Sequence, residues 1–297
     1  MKYSFNILNY NYFPEDLLRY FTNYPPDNKQ WVINLWDDGS SKPYIIQLQN
    51  MLADIPQINF LPQYQNTGRS VMRNKILQHS AEEWTICMDS DLQPGTNLLE
   101  LLEINLNNQK YIYKGVHKYS KNKPRLPFLL HWKYGRKRET RSANKASKHP
   151  YKHFNTSCFA VPYDLLGNVF FDETISKYGH EDTLFSSHLK RKNIQIKYLD
   201  LPLVHGGLKP TNQFIEQQLQ AVENLIDLSH QGKELYSTLH KYGRITSKLP
   251  LIDRLLNSKN VENFLLDRLH SKNPGLGWLD LLKLRKYISY SKEFNIR

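Results

Sequence analysis

Short runs of β-branched and aromatic residues recur along the chain, separated by segments in which apolar residues repeat every three or four positions. Such runs predict strands, and such repeats predict amphipathic helices. The predicted strands cover residues 3–8, 31–36, 58–61, 84–88, 111–116, 157–161 and 194–199. The predicted helices cover residues 14–21, 43–52, 69–79 and 96–106. Because strands alternate with helices, the pattern predicts an α/β fold with a mostly parallel sheet flanked by helices.

The pattern changes near residue 210, after which the chain reads as a series of helices. We therefore expect an α/β domain over residues 1–210 and a helical C-terminal extension over residues 211–297. The extension is expected to cover a flank of the domain. A peripheral membrane contact is the alternative, because apolar and basic residues alternate near the end of the chain. The residues concerned are Trp278, Leu279, Leu282 and Leu284, with Lys283, Arg285 and Lys286.

The composition is that of a globular protein: 297 residues, of which 40% are hydrophobic. No segment approaches the roughly 18 consecutive apolar residues of a membrane-spanning helix. The first residues lack the basic and then apolar layout of a secretory signal. We therefore expect a cytoplasmic protein, either free or peripheral at the inner face of a membrane. Cys87 and Cys158 lie in apolar runs and are expected to be buried free thiols.

The formal net charge of +12 is concentrated in one segment. Residues 118–152 contain twelve Lys and Arg and a single acid, Glu139. Pro124, Pro127 and Pro150 interrupt any periodicity, so the segment is expected to be a long exposed basic loop. A solvated loop, nucleic-acid phosphates, an anionic membrane and a phosphorylated small molecule all remain open as explanations. Charge alone does not choose among them.

Acidic and histidine side chains follow three of the predicted strands. Asp89 and Asp91 end one strand, Asp37 and Asp38 another, and His205 follows a third. Ligands of such sheets bind beyond the carboxyl ends of the strands, so these residues are expected at one edge. Adjacent carboxylates repel each other unless a cation compensates, and hard ions such as Mg²⁺ or Mn²⁺ prefer oxygen ligands. Asp-Gly-Ser is also ordinary turn chemistry, which is the alternative for Asp37 and Asp38.

The order of these motifs resembles that of the inverting glycosyltransferases of family 2, which have the GT-A fold. Members show an Asp-Asp-Gly-Ser turn, an Asn-x-Gly turn before Arg-Asn, an Asp-x-Asp turn and a later Gly-x-Glu-Asp. The chain has Asp37-Asp38-Gly39-Ser40, Asn66-Thr67-Gly68 with Arg73-Asn74, Asp89-Ser90-Asp91, Phe171-Asp172-Glu173 and Gly179-His180-Glu181-Asp182. The resemblance covers about residues 3 to 208.

The resemblance implies a nucleotide-sugar site at this edge. Asp91 and His205 are the expected ligands of Mn²⁺ or Mg²⁺, and Asp89 is expected at the ribose or at the water shell of the metal. One carboxylate of the Asp37-Asp38 turn is expected to accept the uracil N3 proton. The loop that begins with Asn9 and Tyr10 is expected to contact the nucleotide as well. Arg69 and Arg73 lie on the helix before the Asp-Ser-Asp turn, within expected reach of base or phosphate.

Transfer to an acceptor hydroxyl requires a general base opposite the leaving group. Asp182 is the candidate base, with Glu181 and a platform formed by Tyr178 on the acceptor side. Acids at the start of a helix are often only caps, which is the alternative for Asp182.

The sequence thus predicts a metal-dependent inverting glycosyltransferase with a UDP-sugar donor and a glycan or lipid-linked acceptor. A sugar nucleotidyltransferase is the first alternative, but the loop after the first strand lacks the glycines that such enzymes need. A basic nucleic-acid- or membrane-binding protein on the same fold, without transferase activity, is the second. A nucleic-acid partner is not expected.

Overall fold

The structure, a computed structural model, describes residues 1–27, 29–175, 177–233, 235, 237–246, 256 and 258–295. The chain forms two compact units. The first unit consists of Met1–Ser120, Thr140–Ser176 and Glu181–Gly207, and the second of Lys121–Glu139, Lys177–His180 and Leu208–Arg297. The second unit therefore includes residues that precede the predicted boundary at residue 210.

The first unit contains a mixed sheet of eight strands among the described residues. The strands are β1 (Tyr3–Asn9), β2 (Trp31–Asp37), β3 (Ile58–Pro62), β4 (Trp84–Asp89), β5 (Leu92–Pro94), β6 (Tyr111–Tyr119), β7 (Cys158–Pro162) and β8 (Gln195–His205). Their order in the sheet is β3-β2-β1-β4-β7-β6-β8-β5. β7 runs antiparallel to both β4 and β6, and β5 antiparallel to β8, while the remaining pairs are parallel. The predicted strands are all present.

Six α-helices of the first unit connect these strands in the described part of the chain. They are α1 (Glu15–Asn23), α2 (Lys42–Leu52), α3 (Arg69–His79), α4 (Leu98–Asn105), α6 (Ala143–Ser147) and α7 (Glu181–Arg191). Separate apolar clusters form from the residues of the sheet: Phe5 and Ile7 belong to one, and Phe159 and Phe185 to another. β1 is buried over most of its length, and the Asn6 side chain that lies among its apolar residues donates to Ser4 Oγ at 2.9 Å. The predicted α/β architecture is confirmed.

The second unit is helical in its described residues. Its helices are α5 (Leu129–Tyr134), continued by a π-helical turn (Gly135–Glu139), α8 (Thr211–His230), α9 (Thr238–Thr246), α10 (Lys259–Leu269) and α11 (Leu276–Asn295). The apolar faces of α5, α8, α10 and α11 share one core. The predicted helical C-terminal region is therefore present.

One expectation about an exposed segment is wrong. The segment 118–152 is not one long loop, because it contains α5 and α6 and buries Leu129, Leu130 and Ala146. Proline breaks its periodicity only locally, and the apolar positions between prolines suffice for short helices. Leu279 and Leu282, two of the residues named for the alternative of a membrane contact, are 0% and 2% exposed in the core of the second unit. No helix in the part of the chain that the structure describes has the length and apolar character needed to cross a bilayer.

Candidate active site

The loops that follow β1 and β2 are joined to each other by hydrogen bonds. The backbone N–H of Asn11 donates to Ser40 Oγ at 2.7 Å, and the N–H of Ser41 donates to Asn11 Oδ1 at 2.9 Å. Asn11 has a φ of 46°, a left-handed conformation that asparagine tolerates better than most residues. Asn11 was not among the predicted site residues, and it fixes the Asp-Asp-Gly-Ser turn through these two hydrogen bonds.

Asn9 ends β1, which lies between β2 and β4 in the sheet. Its side chain is 1% exposed, and within the described residues neither its amide nitrogen nor its amide oxygen has a hydrogen-bond partner. Buried polar groups are normally paired, so an unpaired amide at a ligand edge is suited to a bound polar group. The next residue, Tyr10, is 51% exposed. Asn9 is thus the stronger candidate of the two for a specific contact.

Asp38 accepts hydrogen bonds from the turn formed by residues 66–68. Its carboxylate accepts hydrogen bonds from Asn66 Nδ2 at 3.1 Å, from Thr67 N at 2.8 Å, from Thr67 Oγ1 at 3.0 Å and from Gly68 N at 2.9 Å. The side chain is 3% exposed. Gly68 has a φ of 89°, which a side chain would disfavour. Asp38 therefore fixes the turn that leads into α3.

Asp37 has more acceptor capacity left than Asp38. Its two carboxylate oxygens lie 3.2 and 3.3 Å from the backbone nitrogen of Ser40, which is their backbone donor. Burial raises the pKa of Asp37, and the hydrogen bonds from Ser40 oppose that rise. Asp37 and Asn9 occupy paired positions on β2 and β1. Of the two carboxylates in this turn, Asp37 is the one whose chemistry suits a nucleobase N–H.

A buried guanidinium links two of the predicted site carboxylates. Arg73 Nη2 lies 3.0 Å from Asp89 Oδ1, and Arg73 Nη1 lies 3.6 Å from Glu181 Oε1. The Arg73 side chain is 1% exposed and lies over the Phe171 ring at 5.6 Å. Arg69 Nη1 also approaches Glu181 Oε1, at 3.6 Å, but its side chain is 49% exposed. Arg73 is therefore a fixed countercharge, whereas Arg69 remains accessible to a ligand.

Asn74 holds the segment that precedes α7, a role that was not predicted. Its Nδ2 donates to the Phe171 carbonyl at 3.0 Å and to Glu173 Oε1 at 2.7 Å, and its Oδ1 accepts from Phe171 N at 2.7 Å. The Arg-Asn pair of α3 thus contacts a carboxylate turn with one residue and the 171–173 segment with the other. The Arg-Asn motif in the sequence could have indicated that Asn74, like Arg73, has a role at the site.

The structure brings Asp91 and His205 together. Asp91 Oδ2 lies 3.5 Å from His205 Nε2, because β5 pairs with the end of β8 and places Leu92 opposite His205. The N–H of Gly206 donates to the Asp91 carbonyl at 2.8 Å. A Cβ added at Gly207 would overlap the Asp91 carboxylate, so only glycine allows this approach. The Tyr119 ring stacks on His205 with centroids 4.9 Å apart.

The Asp91 carboxylate and the His205 imidazole are suited to hold a divalent cation whose remaining ligands come from a substrate. Two ligands of one Mg²⁺ or Mn²⁺ ion lie about 3 Å apart at right angles, close to the observed separation. Among the residues that the structure describes, no group of three or more His, Cys, Asp or Glu side chains is arranged to hold a metal. A site with few protein ligands leaves positions for phosphate oxygens and water, as is usual for ions that bind nucleotides.

Asp182 lies in the first turn of α7. Burial and the neighbouring Glu181 carboxylate raise the pKa of Asp182 to about 7, while hydrogen bonds from Thr183 and the charge of Arg73 oppose the rise. The Asp182 Oδ1 atom accepts from Thr183 N at 2.6 Å. A carboxylate with a pKa near neutrality is suited to general base catalysis. The same position is compatible with stabilisation of the helix N-terminus.

A buried polar network on β6 was missed by the sequence analysis. Lys114, 1% exposed, donates to Ser157 Oγ at 3.1 Å, and Ser157 Oγ donates to Asn155 Oδ1 at 2.7 Å. His117 Nδ1 lies 2.9 Å from the same Ser157 oxygen. Burial lowers the pKa of Lys114 to about 8, and the charges of Asp89 and Asp182 oppose that shift. A lysine in an apolar strand gave no sequence signal.

Tyr178 belongs to the second unit. There the Lys209 ammonium lies 5.7 Å from the centroid of its ring. Gly179 has a φ of 93°, and a Cβ at this position would come 2.9 Å from Ala221 Cβ. The other predicted site residues, from Asn9 to His205, belong to the first unit.

Comparison with known proteins identifies the family. Residues 6–166 match the model of glycosyl transferase family 2. A mannosyltransferase from Pyrobaculum calidifontis, solved with GDP-Man and Mn²⁺, is 12% identical with a TM-score of 0.60, over 99% of this chain and 87% of that one. S. aureus TarS 1–349 in complex with UDP-GlcNAc is 15% identical with a TM-score of 0.50, over 100% and 92%. A search of curated proteins found no match.

The structural neighbours show the same fold, and the family model matches more than half of the chain. The order of the motifs along the sequence and the grouping of their side chains at one sheet edge agree with this match. The chain belongs to glycosyl transferase family 2 and is a glycosyltransferase.

Proposed function

We propose that the enzyme binds a nucleoside diphosphate sugar, with uridine as the base, together with Mn²⁺ or Mg²⁺ and transfers the sugar with inversion to a hydroxyl of a glycan or lipid-linked acceptor. The observation that carries the proposal is the 3.5 Å approach of Asp91 Oδ2 to His205 Nε2. These residues come from strands that are distant in sequence. Gly207 leaves room for the carboxylate between them.

Asp91 and His205 would hold the cation in this proposal, and the diphosphate would complete its coordination. When bound, a divalent cation neutralises the negative charge that develops on a departing diphosphate. Arg73 Nη2 lies 3.0 Å from Asp89 Oδ1 and fixes the orientation of the Asp89 carboxylate. A carboxylate held in this way is suited to accept a hydrogen bond from a ribose hydroxyl. The P. calidifontis mannosyltransferase was solved with Mn²⁺, which supports the choice of metal.

The base is assigned to uridine on the chemistry of Asn9 and Asp37. Uracil presents an N–H donor flanked by carbonyl acceptors, and at paired positions the Asn9 amide offers an NH₂ donor and an acceptor oxygen while the Asp37 carboxylate offers acceptor oxygens. Of the two structural neighbours, TarS was solved with a uridine nucleotide sugar and the mannosyltransferase with a guanosine one. The two bases are therefore compared directly in the experiment.

Asp182 acts as the general base in the proposed reaction. It takes the proton of the acceptor hydroxyl while the hydroxyl oxygen bonds to the anomeric carbon and the bond from that carbon to the diphosphate breaks. A pKa of about 7 leaves a substantial fraction of Asp182 ionised at neutral pH and gives it enough basicity to accept the proton. Glu181 precedes Asp182 in the chain, and the Arg73 guanidinium, 3.6 Å from Glu181 Oε1, compensates its negative charge.

Calorimetric titration of the full chain tests the donor and metal assignments. UDP and GDP are titrated with Mn²⁺, with Mg²⁺ and with a chelator. We expect UDP to bind more tightly than GDP, and binding to weaken at least tenfold when the metal is chelated. Asp91→Asn and His205→Ala should lose the metal dependence. Equal UDP affinity with and without metal, or preferential binding of GDP, would contradict the corresponding assignment.

A further inference from the structure

The net charge of the protein resides in the second unit. That unit contains 22 Lys and Arg against 10 Asp and Glu, a net charge of +12, whereas the first unit contains 18 of each and is neutral. Metal and nucleotide binding in the first unit does not require a charge in the second. The distribution indicates a separate anionic partner for the helical unit.

Within the second unit, the segment 121–137 concentrates exposed cations. We call this segment the basic ridge. Its exposed cations are Lys121, Lys123, Arg125, Arg136 and Lys137. No ion pair joins any of these five to an acid within the described part of the chain, whereas Arg138, which directly follows the ridge, pairs with Asp280 at 2.5 Å, and Lys286 pairs with Glu223 at 2.5 Å. Five exposed cations without an ion pair thus lie within one short stretch of the chain.

The opposite face of the basic ridge is anchored in the unit. Leu129 and Leu130 are 3% and 0% exposed. The His131 ring stacks on Phe214 with centroids 4.4 Å apart, and Thr211 Oγ1 donates to the Pro127 carbonyl at 3.0 Å. The ridge is thus a fixed amphipathic element, with an apolar inner face and a basic outer face.

An aliphatic side chain projects among the cations. Leu126, in the 3₁₀ turn Leu126–Phe128, is 46% exposed and follows the exposed Arg125. Phe128, Trp132 and Tyr134, the aromatic residues of the ridge, are only half-exposed, and the Arg136 guanidinium lies over the Trp132 ring at 4.8 Å. Single-stranded nucleic acids bind to fully exposed aromatic rings. The outer face of the basic ridge instead exposes the aliphatic side chain of Leu126.

We infer that the basic ridge is a docking surface for an anionic lipid membrane. Its cations attract the negatively charged headgroups, and Leu126 enters the boundary between headgroups and acyl chains. The surface differs from the one that the sequence indicated near residue 280, whose leucines are buried. The inference does not depend on the donor, metal or base assigned above, because it concerns the second unit alone.

Flotation of the full chain with vesicles tests this inference. Vesicles of phosphatidylcholine alone are compared with vesicles that also contain phosphatidylserine. We expect binding only with phosphatidylserine, and binding that weakens as salt is added, since surface charges are screened. Each cation near an anionic surface contributes about a fivefold factor in affinity, so Lys121→Gln, Lys123→Gln and Arg125→Gln together should weaken binding about 100-fold.

A matched variant removes the same charge from the first unit: Lys190→Gln, Arg191→Gln and Lys192→Gln, at exposed positions around the end of α7. It should bind the vesicles within about twofold of the unaltered chain. Leu126→Ser should weaken binding about tenfold and leave the salt dependence in place, because it removes only the apolar contact. Circular dichroism and UDP binding report whether each variant remains folded.

Three results would overturn the inference. One is equal binding to both kinds of vesicle, and another is an equal loss in the matched variant. The third is absence of binding to phosphatidylserine vesicles. If a single-stranded RNA binds instead, and that binding is lost when the three ridge cations are removed, the ridge is assigned to nucleic acid. Loss of UDP binding in the unaltered chain would contradict the proposed donor without affecting this test.

Discussion

Arg73 Nη2 lies 3.0 Å from Asp89 Oδ1 with the guanidinium side chain 1% exposed, so one buried cation connects the Asp-Ser-Asp turn to the start of α7. The two carboxylates come from distant parts of the chain, since Asp89 ends β4 and Glu181 begins α7. They share one countercharge, and a change at Arg73 therefore affects both.

Replacement of Arg73 should destabilise the first unit. Arg73→Met leaves Asp89 and Glu181 without their common partner, and we expect the free energy of unfolding to fall by about 2 kcal/mol, less than for a fully buried pair because Asp89 is 31% exposed. Urea unfolding measures the change. Arg69→Met is the control, since the Arg69 side chain is 49% exposed, and should cost less than about 1 kcal/mol. Equal effects of the two substitutions would show that burial of Arg73 is unimportant.

Gly207→Ala should separate metal-dependent binding from folding. The added Cβ overlaps the Asp91 carboxylate and moves it away from His205. We expect Mn²⁺-dependent UDP affinity to fall at least about tenfold while the thermal midpoint changes little. Gly167→Ala, where a Cβ meets nothing within 4 Å, is the matched control. Unchanged affinity in Gly207→Ala would mean that the position of Asp91 does not matter for binding.

The reaction should slow as the pH falls below about 7. The base must be ionised to accept a proton, and burial with the adjacent Glu181 raises the pKa of Asp182 to about 7. Each pH unit below that value should therefore reduce kcat/KM about tenfold. Asp182→Asn should lower kcat by about 10²-fold or more with UDP affinity retained. A pH profile that stays flat down to pH 5, or retained turnover in this variant, refutes the assignment.

Asp38 should matter for stability more than for donor binding. Asp38→Ala removes the acceptor for the N–H groups of Thr67 and Gly68 and for the Asn66 amide, and we expect a loss of about 2–3 kcal/mol. Asp54→Ala, at an exposed position, should change stability by less than about 0.5 kcal/mol. Chemical unfolding of both variants provides the comparison. A stable Asp38→Ala protein that has lost UDP binding would instead make Asp38 a ligand contact.

His117 should carry its proton on Nδ1 and remain neutral at neutral pH. Ser157 uses its one hydroxyl proton on Asn155 Oδ1, so its oxygen must accept from the His117 ring. Burial and the charge of Lys114 lower the pKa of His117 well below its usual value of 6.5. Nitrogen NMR of the ring distinguishes the tautomers. A ring that titrates near pH 6.5 would contradict the network.

The alternation of strands and helices was readable from the sequence because β1, β2, β4, β6 and β7 are each buried over most of their length and are rich in apolar residues. The antiparallel direction of β7 was not readable, since its apolar run has the same appearance in either direction. Motif order located Asp91 and His205, but their approach depends on the pairing of β5 with β8, and β5 has only three residues. The separate roles of Asp37 and Asp38 depend on which donors surround each carboxylate, which spacing does not encode.

The pairing of β5 with β8 has a consequence for synthesis of the chain. Asp91 leaves the ribosome long before the strand that carries His205, and Leu92 finds its partner only when β8 is complete. A nascent chain that ends before β8 can form β1 to β4 from nearby segments but cannot assemble the pair of Asp91 and His205. The proposed metal site should therefore form late during folding, after β1 to β4 have formed.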